Sequence, residues 1–208
     1  MKILNLYAGI GGNRKLWKGH QITAIENNPE IAKIYQDFFP KDKVIVDNAH
    51  QYLLDHFEEY DFIWSSPPCP THSRVRFMGT KAKHPTCGTI IDKKYPDMRL
   101  YQEIIFLTHY CKNKWLVENV KPYYKQLIPS QDIERHCFWS NFLIAQFNIS
   151  GATHNSTIKE MGINKGFDIS KYKIKHRKDV ILRNCVLPEL GKHILDCAMG
   201  EVKQKPLL

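Results

Sequence analysis

Apolar residues fall along this chain in short runs, separated by polar breaks that are rich in glycine, proline and asparagine. Runs at 2–6, 21–25, 43–46 and 62–66 read as strands, because brief apolar stretches bounded by turn residues mark strands covered on both faces. Helical spacing lies between them at 31–35 and 51–57 and recurs at 100–111, with a helix-compatible run at 13–17. Asn28-Pro29-Glu30 has the form of a helix cap followed by proline at the first helical position. Further strands are expected at 115–117 and 136–140, and 180–195 reads as a helix or as a strand followed by a helix. Residues 70–98 and 145–175 carry no clear period. Strands alternating with helices predict an α/β fold around a mostly parallel sheet.

In open parallel sheets, ligands sit at the carboxyl ends of the strands, so those ends are the places to look for chemistry. The first strand runs into Tyr7-Ala8-Gly9-Ile10-Gly11-Gly12, a turn where backbone can approach a ligand closely. Its glycines are not in GxGxxG order, which gives no ground for a nicotinamide dinucleotide. The second strand ends in Glu26-Asn27 and the third in Asp47-Asn48. Glu26 is placed to accept both hydroxyls of a ribose, or to charge the start of the next helix; both readings stand. Together the three ends describe a site for a nucleoside-bearing cofactor.

The fourth strand leads into Ser66-Pro67-Pro68-Cys69-Pro70. The prolines stop the strand and stiffen the turn, so a thiol there can be aimed, although a buried structural cysteine is the commoner fate of a lone one. Glu118, in Glu118-Asn119-Val120, puts a carboxyl at a strand end near the sheet centre, and Arg135 directly precedes the strand at 136–140.

Composition narrows the class. A chain of 208 residues with 43% hydrophobic content is long enough for one domain with a real core. It has no apolar run of about 18 residues and no leader pattern, which predicts a soluble, cytoplasmic protein without a membrane. The six cysteines (69, 87, 111, 137, 185, 197) lack CxxC or zinc spacing, so free thiols and no metal are expected. Lysine and arginine number 30 against 21 acidic residues, and the charge of +9 favours a polyanionic partner through counterion release. In the 70–98 stretch Ser73, Arg74, Arg76, Lys81 and Lys83 are the candidates for nucleic-acid contact.

The residues in this order resemble the DNA cytosine-5 methyltransferases. Leu6-Tyr7-Ala8-Gly9-Ile10-Gly11-Gly12 is similar to the family's first motif, with Tyr7 in place of phenylalanine, and Ser66-Pro67-Pro68-Cys69 resembles its nucleophile motif. Glu118-Asn119-Val120 reproduces the Glu-Asn-Val motif. Gln131-x-x-Glu134-Arg135 resembles Gln-x-Arg-x-Arg, with Ile133 where the first arginine belongs. Arg183-Asn184-Cys185-Val186-Leu187-Pro188 resembles the closing motif. A compact form is implied, with a Rossmann-like catalytic domain at 1–140 and 180–208 and a reduced target-recognition insert at 141–179.

The resemblance implies S-adenosyl-L-methionine as cofactor, held by Tyr7, Ala8, Gly9, Gly11, Gly12, Glu26, Asn27, Asp47, Asn48, Pro67, Asn184 and Val186. It implies Cys69 as a nucleophile adding at C6 of cytosine, Glu118 as the group meeting N3, and Arg135 as the holder of O2. The implied substrate is duplex DNA with the target base flipped out; a restriction-modification setting and a helper subunit for recognition are compatible with it. RNA, a free pyrimidine nucleotide, or an inactive nucleic-acid-binding module remain alternatives.

Overall fold

The computed structural model describes residues 1–73, 95–148 and 157–202. Strand β1 (Lys2–Leu6) lies inside the sheet, hydrogen-bonded in parallel to β2 (Gln21–Ile25) on one side and to the central strand β4 (Phe62–Ser65) on the other. Beyond β2 lies β3 (Lys43–Ile45), and beyond β4 lies β5 (Lys114–Val120), both parallel. Two antiparallel strands, β7 (His136–Ser140) and the edge strand β6 (Gln131–Ile133), complete the order 3-2-1-4-5-7-6. Strand order reverses between β1 and β4, the position at which a doubly wound sheet opens a crevice for a ligand.

Successive strand residues point to opposite faces, and each face has its own helices. On one face Leu4, Ile63 and Val117 pack with Tyr52 and Leu53 of α2 (Ala49–His56) and with Leu100, Ile104 and Leu107 of α3 (Arg99–Tyr110). On the other, Ile3, Phe62, Trp64, Leu116 and Phe138 meet Leu190, Ile194 and Leu195 of α6 (Pro188–Met199). Burying a side chain of this size contributes about 1.5–3 kcal/mol, which is why runs apolar at every position become central strands. The observed architecture is the predicted one, an α/β fold around a mostly parallel sheet.

Local chemistry sets several boundaries. Helix α1 (Pro29–Phe38) starts where Asn28 accepts from the backbone N–H groups of Glu30 and Ile31, with Pro29 behind it. Helix α4 (Ile158–Lys165) opens on a capping box between Thr157 and Glu160 and ends at Gly166 in the left-handed region, φ 65°. The segment after it is tied into the body of the protein: Phe167 and Ile169 pack with Ile34 of α1 and with Ile181 and Leu182 of α5 (Lys178–Asn184).

Three expectations are corrected. Residues 13–17 form turns, not a helix. Here Arg14 turns back to an ion pair with Asp42 at 2.6 Å and donates to the Trp17 carbonyl, while Asn13 pairs with Asn5. The fifth strand does not stop before Glu118 but continues through Val120, because β7 supplies a ladder that apolar pattern alone does not reveal. Residues 180–195 contain no strand; they are parts of two helices, α5 and α6, separated by Cys185–Leu187.

Candidate active site

The turn after β1 is held from the next strand. Glu26, 8% exposed, accepts the backbone N–H of Gly9 at 3.0 Å on one oxygen and that of Asn28 at 2.9 Å on the other. Burial pushes the Glu26 carboxyl up from its usual range, and the backbone N–H groups pull it back. The glycines divide by task. Side chains at Gly11 and Gly12 would run into protein, into Tyr35 and Phe39 or into Cys185 and the Val186 carbonyl. Gly9, at φ 55°, has nothing within 4 Å of where its Cβ would stand, so it is the glycine that faces open space.

A cavity of about 340 Å³ opens beyond the ends of these strands. Tyr7, Asn27, Asp47, Asn48 and Pro67 line it, as the sequence placed them, and Val46, Asp97 and Arg99 join them. Val46 is an apolar side chain 52% exposed beside the exposed carboxylate of Asp47, a pairing suited to the face and the amino edge of a purine. The Asn48 side chain is occupied in capping α2, accepting from His50 and Gln51 N–H groups. Tyr7 donates to Glu103 at 2.6 Å, and Ser65 and His50 bond the same buried carboxylate. Of the other predicted cofactor residues, Ala8 is buried against Tyr35, Val186 is buried in the α6 cluster, and Asn184 is exposed at the end of α5.

Cys69 stands four residues beyond β4 on a braced loop. Asn119 of β5 donates to the Pro67 carbonyl at 2.9 Å, and the Cys69 carbonyl accepts from His72 and Ser73 N–H groups, each at 2.9 Å. The thiol is half-buried, and its pKa is raised, first by burial and then by the charge of Glu118; Arg135 acts in the opposite sense. Cys69, Glu118 and Arg135 thus lie within electrostatic reach of one another, from three separate parts of the chain. Arg135 is exposed on the tight β6–β7 connection, where Glu134 adopts φ 53°. Ile133 is buried in the apolar cluster with Phe138, so the position expected to carry an arginine faces the core.

Besides Val46, Asp97 and Arg99, two buried histidines of the site escaped the sequence reading. His136, 8% exposed, bonds Glu118 at 2.7 Å through Nδ1. His72, 1% exposed, bonds the Tyr124 hydroxyl at 2.6 Å beneath the Cys69 loop. Neither has a local sequence signal, though His72, three residues from Cys69, stood within the stretch that marks the nucleophile. Arg74, Arg76, Lys81 and Lys83 lie outside the described residues.

A family model described as C-5 cytosine-specific DNA methylase matches residues 1–123, more than half of the chain. The chain belongs to this family. Its match runs from β1 to just past β5 and so takes in the glycine turn, Glu26, Asp47, Cys69 and Glu118. A tRNA (cytosine(38)-C(5))-methyltransferase from Spodoptera frugiperda is 26% identical over 163 residues, covering 73% of this chain and 45% of that protein. The chain therefore spans under half the length of this curated relative. Among solved structures, a mutant of Spodoptera frugiperda DNMT2 aligns over 58% of this chain and 35% of its own, at 27% identity and TM-score 0.39. The methyltransferase EhMeth of Entamoeba histolytica aligns over 58% and 38%, at 17% identity and TM-score 0.37. The cofactor that membership of this methylase family implies is S-adenosylmethionine. The residues fit such a group: the cavity carries the Val46–Asp47 pair and Tyr7, and the turn that Tyr7 opens has a glycine with free space beside it and a buried carboxylate behind it. Among the described residues no helix is long and apolar enough to cross a membrane.

Proposed function

We propose that this protein is a cytosine-5 methyltransferase that acts on DNA through a covalent adduct of Cys69. The observation that carries this reading is a half-buried thiol just beyond β4, beside the switch point of the sheet, on a loop held by Asn119 of the Glu118-Asn119-Val120 strand and within electrostatic reach of Glu118 and Arg135. C5 of cytosine is a poor nucleophile. Addition of the Cys69 thiolate at C6 forms the S–C6 bond and moves the ring electrons toward N3, where a proton from Glu118 completes an enamine whose C5 can be methylated. Arg135 stabilises the charge that builds on O2. S-adenosylmethionine would supply the electrophilic methyl group; loss of the C5 proton to solvent then lets the S–C6 bond break, which frees the Cys69 thiolate and the methylated base. Glu26 and Asn27 would hold the cofactor's ribose end, Val46 and Asp47 its adenine, the turn at Tyr7–Gly12 and Pro67 its middle, and Asn184 its methionine end.

The nucleic-acid backbone meets the segment before α5. Lys171, Lys173 and Lys175 are exposed there, while the alternate residues Tyr172 and Ile174 pack onto the α1 cluster, so the lysines project as a row. Ser73, whose backbone N–H bonds the Cys69 carbonyl, extends this contact on the Cys69 side; Arg74, Arg76, Lys81 and Lys83 are candidates from the sequence alone. RNA is the second reading, because the relative at 26% identity is named for tRNA.

The experiment offers 5-fluorocytosine in duplex DNA and in RNA, with S-adenosylmethionine, to wild type and to Cys69→Ser. Fluorine at C5 blocks the final elimination, so wild type is expected to form a denaturation-stable adduct with DNA and the variant none. An adduct with RNA alone transfers the chemistry to RNA. Adducts with neither, in a protein that binds S-adenosylmethionine, end the proposal.

A further inference from the structure

We infer that His136 is a positioning residue for Glu118, and that it selects which carboxyl oxygen presents the proton to the base. This rests on the reading of Glu118 as the group that meets N3. In the antiparallel pairing of β5 with β7, Val120 lies opposite His136 and Glu118 opposite Phe138, which makes Glu118 and His136 diagonal neighbours on one face. Both are buried, 7% and 8% exposed, and His136 Nδ1 stands 2.7 Å from Glu118 Oε1. On the far side of the ring, Arg135 Nε donates to His136 Nε2 at 3.4 Å.

The direction of each bond follows from which groups can only donate. A guanidinium nitrogen has no acceptor capacity, so Nε2 must offer its lone pair and the single ring proton sits on Nδ1. Nδ1–H therefore donates to Oε1. A neutral carboxyl that accepts on Oε1 carries its own proton on Oε2, and that is the proton available to N3. When it moves, the Oε2–H bond breaks and N3–H forms. The charge left on the carboxylate is met by Nδ1–H, and His136 keeps its proton throughout. The charged and titratable groups around the ring are Glu118 on β5, Arg135 on the hairpin, and Cys69 beyond Glu118. Ile133 supplies no polar support, being buried among apolar side chains, so His136 is the residue of this hairpin that bonds the carboxyl. A histidine kept only for packing, stacked on Phe138 at 26° between ring planes, would need neither bond.

The test uses the full chain and two variants, His136→Ala and His136→Asn, whose folding and S-adenosylmethionine affinity are checked first. Nitrogen NMR of the histidine-labelled wild type is expected to show Nδ1 protonated and Nε2 bare. The other tautomer, or a doubly protonated ring, overturns the inference whatever the substrate proves to be. With a 5-fluorocytosine substrate that wild type accepts, His136→Ala is expected to lower the maximal trapping rate about tenfold to a hundredfold, the scale set by small misplacement of a reacting group. The half-saturating nucleic-acid concentration should stay near the wild-type value, because the loss lies in the chemical step. His136→Asn places an amide N–H where Nδ1–H stood and is expected to recover most of the rate. Equal rates for wild type and His136→Ala overturn the inference, as does His136→Asn matching the alanine variant. A wild type that traps neither DNA nor RNA sinks the proposed function instead and leaves the tautomer to decide.

Discussion

The two sides of the sheet build their parts of the site by different rules. On the parallel side, β1, β2, β3 and β4 each deliver functional groups in the few residues after the strand: the glycine turn, Glu26, Asp47 and the Cys69 loop. On the antiparallel side, Glu118 lies inside β5, and the histidine that bonds it comes from β7, 18 positions later. Contiguous groups at strand ends can be assembled from local sequence, since the strand, the break and the polar residue are all adjacent. A pair made across a ladder depends on register, and a shift of one residue would turn Glu118 or His136 to the opposite face. The family match covers the parallel side and reaches on through Glu118, whereas Arg135 and His136 fall after residue 123.

The largest effect is expected at the thiol, the group of the parallel side that faces the antiparallel pair. Cys69→Ser should abolish covalent trapping, a loss of about a thousandfold or more, while S-adenosylmethionine binding by calorimetry changes little. If the variant loses cofactor binding as well, the Cys69 loop is part of the cofactor pocket and does not stand apart from the other strand ends. Next come Glu118→Gln and Arg135→Ala, each expected to slow trapping about a hundredfold without weakening cofactor affinity.

Conversely, Asp47→Ala should act on the parallel side alone. It is expected to raise the Kd for S-adenosylmethionine about tenfold, near 1.4 kcal/mol, and to leave the trapping rate at saturating cofactor close to wild type. Glu26→Ala should do more than weaken binding, since it strips the acceptor from the Gly9 and Asn28 N–H groups. A loss of about 1–3 kcal/mol in denaturant unfolding is expected.

The smallest effect is a shift in pH profile. Burial and the Glu118 charge raise the Cys69 thiol above its ordinary value, so the thiolate is scarce at neutral pH and the trapping rate should climb as pH rises above neutrality. In the free enzyme Glu118→Gln removes the opposing charge, so alkylation of Cys69 by iodoacetamide, which takes no proton from Glu118, should climb at lower pH in this variant than in wild type. A profile that stays in place would show that burial alone holds the thiol up.

Much of the parallel side was legible in the sequence. Apolar runs gave its strands, prolines gave the stop at Pro67-Pro68, and the Asn28-Pro29 cap marked the start of α1. The tasks of individual groups were less legible. Gly11 and Gly12 make room for Phe39 and Val186, and the Asn48 side chain is taken up in capping α2; a glycine or an asparagine in a string does not say what stands beside it. The run at 13–17 shows helical spacing, yet Arg14 is drawn to Asp42 and Asn13 to Asn5, so tertiary bonds override a weak local preference.

By itself, then, the order of residues determined the alternation of strand and helix, which polar groups stand at each strand end and where the candidate nucleophile lies, because these depend on neighbours in the chain. Tertiary structure alone decided which carboxyl meets which imidazole, that Ile133 faces the core, and that Val46 lies open beside Asp47. Those relations are set by strand register and by packing between distant segments, where a residue's partner is fixed by geometry and not by its place in the sequence.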